Sequence, residues 1–200
     1  MHMLIVDLET TGVDPAKHSI ISIGAIDFLH PERTFYEECR PWNGALLDSN
    51  ALAVNGFTPE QLNDENRKTL YEAITSFIKW VEESEVQTLG GHNFGFDWAF
   101  LKQTSDIYNL SWKPHRRIVD LHSVCYTHHL KRGIVPPLKD KRTDLSFNNV
   151  LKYVGLPEEP MPHNALTGAK SAAEAFSRIL YGKSFLDEFK QYPVPEYLKI

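Results

Sequence analysis

The sequence predicts an α/β fold in which a mixed five-stranded sheet is flanked by helices on both faces. Three short apolar segments rich in β-branched residues open the chain, and helical and strand-like segments alternate after them. One of the later segments has an apolar residue at every third or fourth position, which is the spacing of one helical face. Leading strands followed by alternating helices and strands are typical of a mixed sheet that is covered on two sides.

The first half of the chain is predicted to form three strands and two helices. The predicted strands are residues 4–6, 19–28 and 34–40. Turn-forming residues at 11–15 separate the first two, which we expect to pair as a hairpin with a long loop. Thr58, Pro59 and Gln61 form a capping-box pattern with proline at the first helical position, so a helix is expected to start there. The apolar spacing over residues 70–81 predicts a second, longer helix.

The second half of the chain is predicted to alternate between strands and helices. The expected strands are residues 86–89 and 118–120, and the expected helices begin at Phe96, Leu145 and Asn164. Residues 131–144 contain glycine, two prolines and five basic residues among few apolar ones, which is typical of a long surface loop. Its basic side chains are candidates for phosphate contacts, and simple solvation is the alternative.

The composition indicates one globular domain. The 200 residues are 42% hydrophobic and 24% charged, with 11 glycines and 12 prolines, which excludes collagen-like, low-complexity and disordered classes. We expect a single domain over residues 1–200, in which 1–3 are a cloning scar and 183–200 form a C-terminal tail. No apolar run approaches the roughly 18 residues of a membrane helix. We therefore expect no membrane partner and a cytoplasmic location.

Charge and cysteine content exclude further classes. The chain has 21 Lys and Arg against 26 Asp and Glu, a net charge of −5. This balance argues against a broad basic surface that coats nucleic acid, and it leaves room for a small site where metal ions supply the positive charge. Cys39 and Cys125 are far apart in sequence and lack Cys-x-x-Cys spacing, so reduced thiols are expected rather than a disulfide or a zinc site.

Two acidic residues lie in the first apolar strand. Asp7 and Glu9 are two positions apart, so their side chains share one face of the strand, with Cα atoms about 6.5 Å apart. An unpaired buried charge costs several kcal/mol, and a divalent metal ion is the simplest cation to neutralise two of them. The alternative is a frayed strand end with both side chains in water.

Three segments resemble, in order, the motifs of the DEDD exonucleases, the group that includes the proofreading subunit of DNA polymerase III, ribonuclease T and oligoribonuclease. Residues 6–12 (VDLETTG) resemble the first motif and residues 92–101 (HNFGFDWAFL) the second. Residues 163–169 (HNALTGA) resemble the third motif of the histidine-bearing DEDDh branch. The resemblance extends over nearly the whole chain, and three motifs in order are far more specific than any one of them.

The resemblance implies a ribonuclease H-like fold and stepwise, metal-dependent removal of nucleotides from single-stranded 3′ ends of DNA or RNA. It implies that Asp7, Glu9 and Asp97 hold two Mg²⁺ or Mn²⁺ ions, which in such sites clamp the scissile phosphate and activate water. His163 would take the proton from that water, because an imidazole with a pKa near 6.5 suits the task. For a histidine beside a proline-rich turn, a solvated loop residue is the alternative. The sequence carries no signal for the oligomeric state.

The resemblance also implies two contacts with substrate. The backbone at Thr10 would meet the terminal nucleotide, and the ring of Phe57 would wedge or stack beside the terminal base. A hydrophobic staple on the helix that Thr58 caps is an equal alternative for Phe57. The aromatic side chains of the second motif are assigned to the core; they are Phe94, Phe96, Trp98 and Phe100.

Gly168 stands where the family has its fourth acidic residue. The family pattern is histidine, four residues, then aspartate, and the fifth residue after His163 is Gly168. Lys170 has the wrong sign, and Glu174 lies about 240° further around a helix. We therefore expect one ion to be lost or weakened and the enzyme to be severely slowed. A natural loss and an engineered substitution both fit, as do a tolerant enzyme with extra water ligands and a non-catalytic nucleic-acid-binding module on a nuclease fold.

The aromatic, proline-bearing end of the chain suggests one further partner. Residues 189–200 (FKQYPVPEYLKI) have the composition of a docking segment. A polymerase or another protein is the partner that we expect for it.

Overall fold

The computed structural model describes residues 2–199, and its main sheet is the predicted one. The five strands, in spatial order, are β3 (Thr34–Glu38), β2 (Ile20–Asp27), β1 (Leu4–Thr10), β4 (Leu89–Gly91) and β5 (Val119–Asp120). β1 pairs antiparallel with β2 and parallel with β4, so the central strand joins a hairpin to a parallel half-sheet. The prediction of a mixed five-stranded sheet is confirmed.

Seven helices surround this sheet in the described part of the chain. They are α1 (Ser49–Asn55), α2 (Pro59–Leu62), α3 (Leu70–Glu82), α4 (Gly95–Ile107), α5 (Leu121–Lys131), α6 (Phe147–Tyr153) and α7 (Ala165–Tyr181). Two 3₁₀ turns follow, at Asp187–Phe189 and Glu196–Leu198. Thr58 caps α2 through the predicted capping box. Within the described residues, no helix is long and apolar enough to span a membrane.

The helices cover both faces of the sheet, as predicted. Alternate side chains of β1 divide between two cores: Ile5 packs with residues of α5, α6 and α7, whereas Leu4 and Val6 pack with residues of α3 and α4. This division is the period-two alternation of a strand that is buried on both sides. The face with α7 also carries the acidic residues that are described below.

Four features of the structure differ from the sequence-based expectation. α1 and α5 were not predicted, and the loop over residues 131–144 contains a short hairpin of β6 (Leu138–Lys139) and β7 (Arg142–Thr143). β4 lies later than residues 86–89 because its two glycines permit close packing. A Cβ at Gly90 would stand 2.6 Å from the Val119 oxygen, and one at Gly91 would stand 2.5 Å from the Val6 oxygen.

Met3 belongs to the core, so its exclusion from the fold was wrong. Its side chain is 1% exposed, and its carbonyl accepts a hydrogen bond of 3.1 Å from the Phe28 N–H. Met3 directly precedes β1, and its thioether sulfur lies against Gly90. Of the other two residues of the predicted scar, His2 is exposed and Met1 lies outside the described residues.

The predicted tail is packed on the core as far as residue 199. Arg178 in α7 donates to the carbonyl oxygens of Phe189 and Tyr192 at 3.1 and 2.8 Å. Glu174 accepts from the N–H groups of Phe185 and Leu186 at 2.8 and 2.9 Å. Of the apolar side chains that suggested a docking segment, Phe189, Tyr192, Val194 and Leu198 pack against the same core as α5 and α7, whereas Tyr197 is 38% exposed.

Candidate active site

β1 and the first turn of α4 bring the three predicted acidic residues together. Asp7 and Glu9 lie on β1, and Asp97 lies in the first turn of α4. The Asp97 Oδ1 accepts a hydrogen bond of 3.1 Å from the backbone N–H of Leu8. The amide between the two strand acids thus holds the third acid in place, and all three carboxylates face one region.

The turn before α4 depends on the backbone conformation of Asn93 and on a hydrogen bond to the Asp120 side chain. Asn93 adopts a left-handed φ of 51°, a conformation that asparagine tolerates better than most residues. The next N–H, that of Phe94, donates to the Asp120 Oδ2 at 2.9 Å. This turn lets the helix begin at Gly95, which places Asp97 against β1.

Burial and mutual repulsion raise the pKa values of these carboxylates. The pKa of Asp7 is raised by burial first and then by the charges of Asp97, Glu9 and Glu159. Burial and the Glu159 charge raise the pKa of Glu9 to about 8. Burial also raises the pKa of Asp97, against the opposing effect of its backbone hydrogen bonds. Such a cluster favours either protons or a bound cation.

A fourth carboxylate, that of Glu159, lies in the same cluster. Its side chain is 7% exposed, and its Oε2 lies 3.5 Å from the Nδ1 of His163. Burial raises its pKa to about 7. Sequence reasoning missed this residue because it lies outside all three motifs, in a proline-rich segment that resembles a solvated loop. Only three family carboxylates are present, but the site itself contains four acidic side chains.

His163 is positioned by the segment that leads into α7. Its N–H donates to the carbonyl oxygen of Val54 at 3.0 Å, and Pro162 packs against Gly56, where a Cβ would come within 2.6 Å of it. Asn164 then caps α7 by accepting from two backbone N–H groups. The His163 side chain is partly buried, and this burial lowers its pKa. The structure thus brings His163 to the acids, as the motif order predicts.

An open groove of about 440 Å³ lies beside Glu9. Thr10 lines it, with its Oγ1 donating to the carbonyl oxygen of Gly12 at 2.8 Å and its own carbonyl oxygen accepting from the Asn55 Nδ2 at 3.0 Å. Phe96 also lines the groove. The assignment of Phe96 to the core alone was therefore incomplete, because this ring is only partly buried, unlike those of Phe94 and Phe100.

Phe57 lies away from this groove. Its ring packs against the small cluster that contains Leu52 and Leu62, and the Arg67 guanidinium lies 5.2 Å from the ring centre. Contact with Leu62 is what the hydrophobic-staple alternative predicts. Among the described residues that line the groove, Phe57 is absent.

A mixed sheet with carboxylates clustered at its central strand is typical of the ribonuclease H-like nucleases. The RNase T family model, described as an exonuclease, matches residues 4–176. The chain therefore belongs to this exonuclease family. The predicted resemblance to the DEDDh exonucleases and the predicted enzyme class, a 3′-to-5′ exonuclease by resemblance, are confirmed. Enzymes of this family depend on divalent metal ions.

Similar proteins and structures agree with this membership. The chain is 31% identical over 179 residues to the 3′-5′ DNA exonuclease Cap18 of Escherichia coli, covering 87% of this chain and 89% of that one. It is 26% identical to the DNA polymerase III subunit epsilon of Buchnera aphidicola, covering 94% and 71%. The nuclease domain of 3′hExo, a DEDDh family member solved with rAMP, superposes with a TM-score of 0.69 at 19% identity, covering 98% and 96%. The last comparison shows the fold.

Proposed function

We propose that this protein is a metal-dependent 3′-to-5′ exonuclease that hydrolyses single-stranded nucleic-acid ends one nucleotide at a time. The observation that carries the proposal is the convergence of Asp7, Glu9 and Asp97 beside His163, next to a groove that Glu9 lines. Membership of the exonuclease family supports the same reaction class.

The carboxylates fit a divalent cation by their chemistry. The carboxylates of Asp7 and Glu9 accept no hydrogen bond from any residue between 2 and 199, and burial raises the pKa of both. Oxygen donors of this kind suit Mg²⁺ or Mn²⁺. In the proposal, Asp7, Glu9 and Asp97 hold two such ions. When bound, the ions supply charge neutralisation at the scissile phosphate and a more acidic water.

His163 acts as the general base in this proposal. Its lowered pKa keeps the imidazole neutral at pH 7, so that a ring nitrogen is free to take a proton from water. The side chain is 29% exposed and is therefore accessible to solvent. The backbone contacts of His163 and the cap at Asn164 hold the ring beside the acids, which limits the reorganisation that proton transfer requires.

The groove beside Glu9 is proposed to take the 3′-terminal nucleotide. Its volume suits one nucleotide rather than a duplex, and Thr10 and Phe96 offer backbone contacts and a partly exposed aromatic face. Stacking on such a ring is worth about 1–3 kcal/mol per base. The proposed substrates are single-stranded ends of either DNA or RNA. Competition between matched DNA and RNA oligomers, read as relative rates of shortening, decides between them.

A protein partner and a cytoplasmic location remain parts of the proposal. The similarity to a DNA polymerase III subunit supports a polymerase as the partner. Because Phe189, Tyr192 and Leu198 pack on the core, a partner of residues 189–200 would meet only their exposed face, which includes Tyr197. Cross-linking of the full chain in cell extract, followed by identification of the attached protein, tests this part of the proposal.

The test of the proposed activity is digestion of a 5′-labelled single-stranded oligonucleotide with Mg²⁺ or Mn²⁺. We expect a ladder that shortens from the 3′ end and stops when a chelator is added. Asp97→Asn should lower the rate at least about 100-fold, because it removes a metal ligand. Asp106→Asn is the matched control: it removes an exposed carboxylate from the same helix and should leave the rate unchanged. Binding of a 3′ end without any product would instead support the non-catalytic module.

A further inference from the structure

The carboxylates of Asp7 and Glu159 border the space that a side chain at residue 168 would enter. Gly168 lies in the first turn of α7, beside Asp7. A Cβ built on Gly168 would stand 2.3 Å from the Asp7 Oδ2 and 3.1 Å from the Glu159 Oε1. The carboxylate that α7 lacks is therefore matched in space by one that comes from the preceding segment.

Two backbone hydrogen bonds, at Glu159 and at His163, hold the segment that carries Glu159. The Glu159 N–H donates to the Asn148 Oδ1 in α6 at 3.0 Å. Four residues later, the His163 N–H donates to the carbonyl oxygen of Val54 at 3.0 Å. With its backbone held in this way, the side chain of Glu159 points into the cluster, whereas its neighbour Glu158 is exposed.

The buried acids lack the donors that would otherwise satisfy them. Glu9 is 8% exposed and the Glu159 side chain 7%, whereas Asp7 is partly buried, and none of the three carboxylates accepts a hydrogen bond from the described residues. One ligand atom each from Glu9, Glu159 and His163 lies within 4.8 Å of the others. Buried carboxylates without hydrogen-bond donors favour a proton or a cation, and the Glu9 and Glu159 oxygens are close enough to share one ion while His163 stays free as the base.

A role for Glu159 in orienting His163 is the competing explanation. The distance of 3.5 Å between the Glu159 Oε2 and the His163 Nδ1 exceeds the usual range of a hydrogen bond, about 2.7–3.2 Å. The other oxygen, Oε1, lies on the side of Gly168 and Asp7. This geometry favours Glu159 as a metal ligand beside Asp7 over Glu159 as a hydrogen-bond partner that orients His163.

We propose that Glu159 is the fourth carboxylate ligand of the metal site, in place of the acid that is missing at Gly168. The inference rests on the proposed exonuclease function and deepens it. In this arrangement Gly168 is no defect, because it makes room for a ligand that arrives from a different part of the chain. The expected loss of one ion would then not occur.

The experiment is a Mn²⁺ titration of the full chain by calorimetry, without nucleic acid. Glu159→Gln should weaken Mn²⁺ binding at least about 10-fold, since even changes next to metal ligands have effects of about 10- to 100-fold. Glu158→Gln removes the same charge from the adjacent exposed position and should leave the affinity unchanged. Thermal unfolding of the metal-free proteins checks folding; Glu159→Gln should be at least as stable as the wild type, because it removes a buried charge.

A second variant distinguishes a ligand from a positioning residue. Adding Gly168→Asp to Glu159→Ala, which empties the space of the longer side chain, should restore Mn²⁺ binding relative to Glu159→Ala alone, provided that the Asp7 carboxylate shifts away from the new Cβ. If Glu159→Gln binds Mn²⁺ as tightly as the wild type, or loses only nuclease rate, the ligand role is wrong while the proposed function stands. If the wild type neither binds Mn²⁺ nor shortens oligonucleotides, both proposals are overturned.

Discussion

At the residue scale, the site is a set of acids that destabilise the metal-free protein. The pKa of Glu9 is raised to about 8 and that of Glu159 to about 7, both from an ordinary value of 4.5. Folding therefore favours the protonated forms of these groups. Their contribution to stability is present below about pH 4.5 and is lost as pH rises through the two folded-state values.

This linkage predicts how Glu159→Gln changes stability with pH. In chelator, the stability of the variant relative to the wild type should increase from pH 5 to pH 8, because only the wild type must ionise a buried carboxyl at residue 159. Burial lowers the pKa of His92, His128 and His163, and these groups give the opposite slope in both proteins. The difference between the two denaturation curves therefore reports the Glu159 carboxyl together with its effect on the pKa values of Asp7 and Glu9, which changes stability in the same direction. A difference that stays constant over this range would contradict the prediction.

At the element scale, α7 can reach the site because Gly24 of β2, which faces the first turn of α7, has no side chain. A Cβ at Gly24 would stand 2.1 Å from the backbone carbonyl carbon of Ala165 and 2.2 Å from the Leu166 nitrogen. Backbone atoms cannot move aside as a flexible side chain can. Gly24 thus sets how closely α7, and with it His163, approaches the sheet.

Gly24→Ala should destabilise the protein by about 3 kcal/mol or more, since overpacking in a core costs about 1–3 kcal/mol even where side chains can adjust. We also expect a loss of Mn²⁺ affinity, because the start of α7 must shift away from Asp7. Denaturant unfolding and a metal titration measure the two effects. The control is Gly95→Ala in α4, where a Cβ meets nothing within 4 Å. Equal stability of Gly24→Ala and Gly95→Ala would show that the contact is relieved without cost.

Local patterns predicted the elements that carry their own signals. The helix over residues 70–82 has a regular apolar face and a capping box at Thr69, and α2 has its capping box at Thr58. α5 was missed because its apolar residues do not follow one face, and β4 was misplaced because its position depends on close approach to β1 and β5. These two elements are specified by packing against distant residues.

The candidate site was predictable only where the motifs describe it. The structure gathers Asp7, Glu9, Asp97 and His163 as the motif order implies, although their roles stay predictions. Glu159 could not be found in this way, since no local spacing indicates that its side chain folds back beside Gly168. Its placement follows from the contact with Asn148, a long-range contact that one sequence does not reveal.

At the scale of the whole molecule, one buried ion pair joins α7 to the C-terminal segment. The side chains of Glu174 and Arg178 are both 0% exposed and lie 2.7 Å apart. Arg178 also donates to the carbonyl oxygens of Val154, Phe189 and Tyr192. The pair therefore satisfies backbone groups from separate parts of the chain, which a surface ion pair does not do.

Arg178→Met should destabilise the protein by about 3–5 kcal/mol, the cost of leaving a buried partner charge uncompensated. Urea unfolding measures the change. Lys190→Met removes an exposed cation that pairs with Asp187 in the same segment, and it should have little effect. Similar midpoints for the two variants would mean that the buried pair contributes no more than the exposed one.

The packing of α7 against β1 and β2 has a consequence for the order of events during synthesis. Asp7 and Glu9 emerge from the ribosome first, Asp97 near the middle, and Glu159 and His163 near the end. A chain that has been made only as far as α6 can form much of the sheet, but it lacks both the proposed base and the proposed fourth ligand. In that assignment an incomplete nascent chain carries no complete hydrolytic centre, and we expect nuclease activity only after the last large helix has docked.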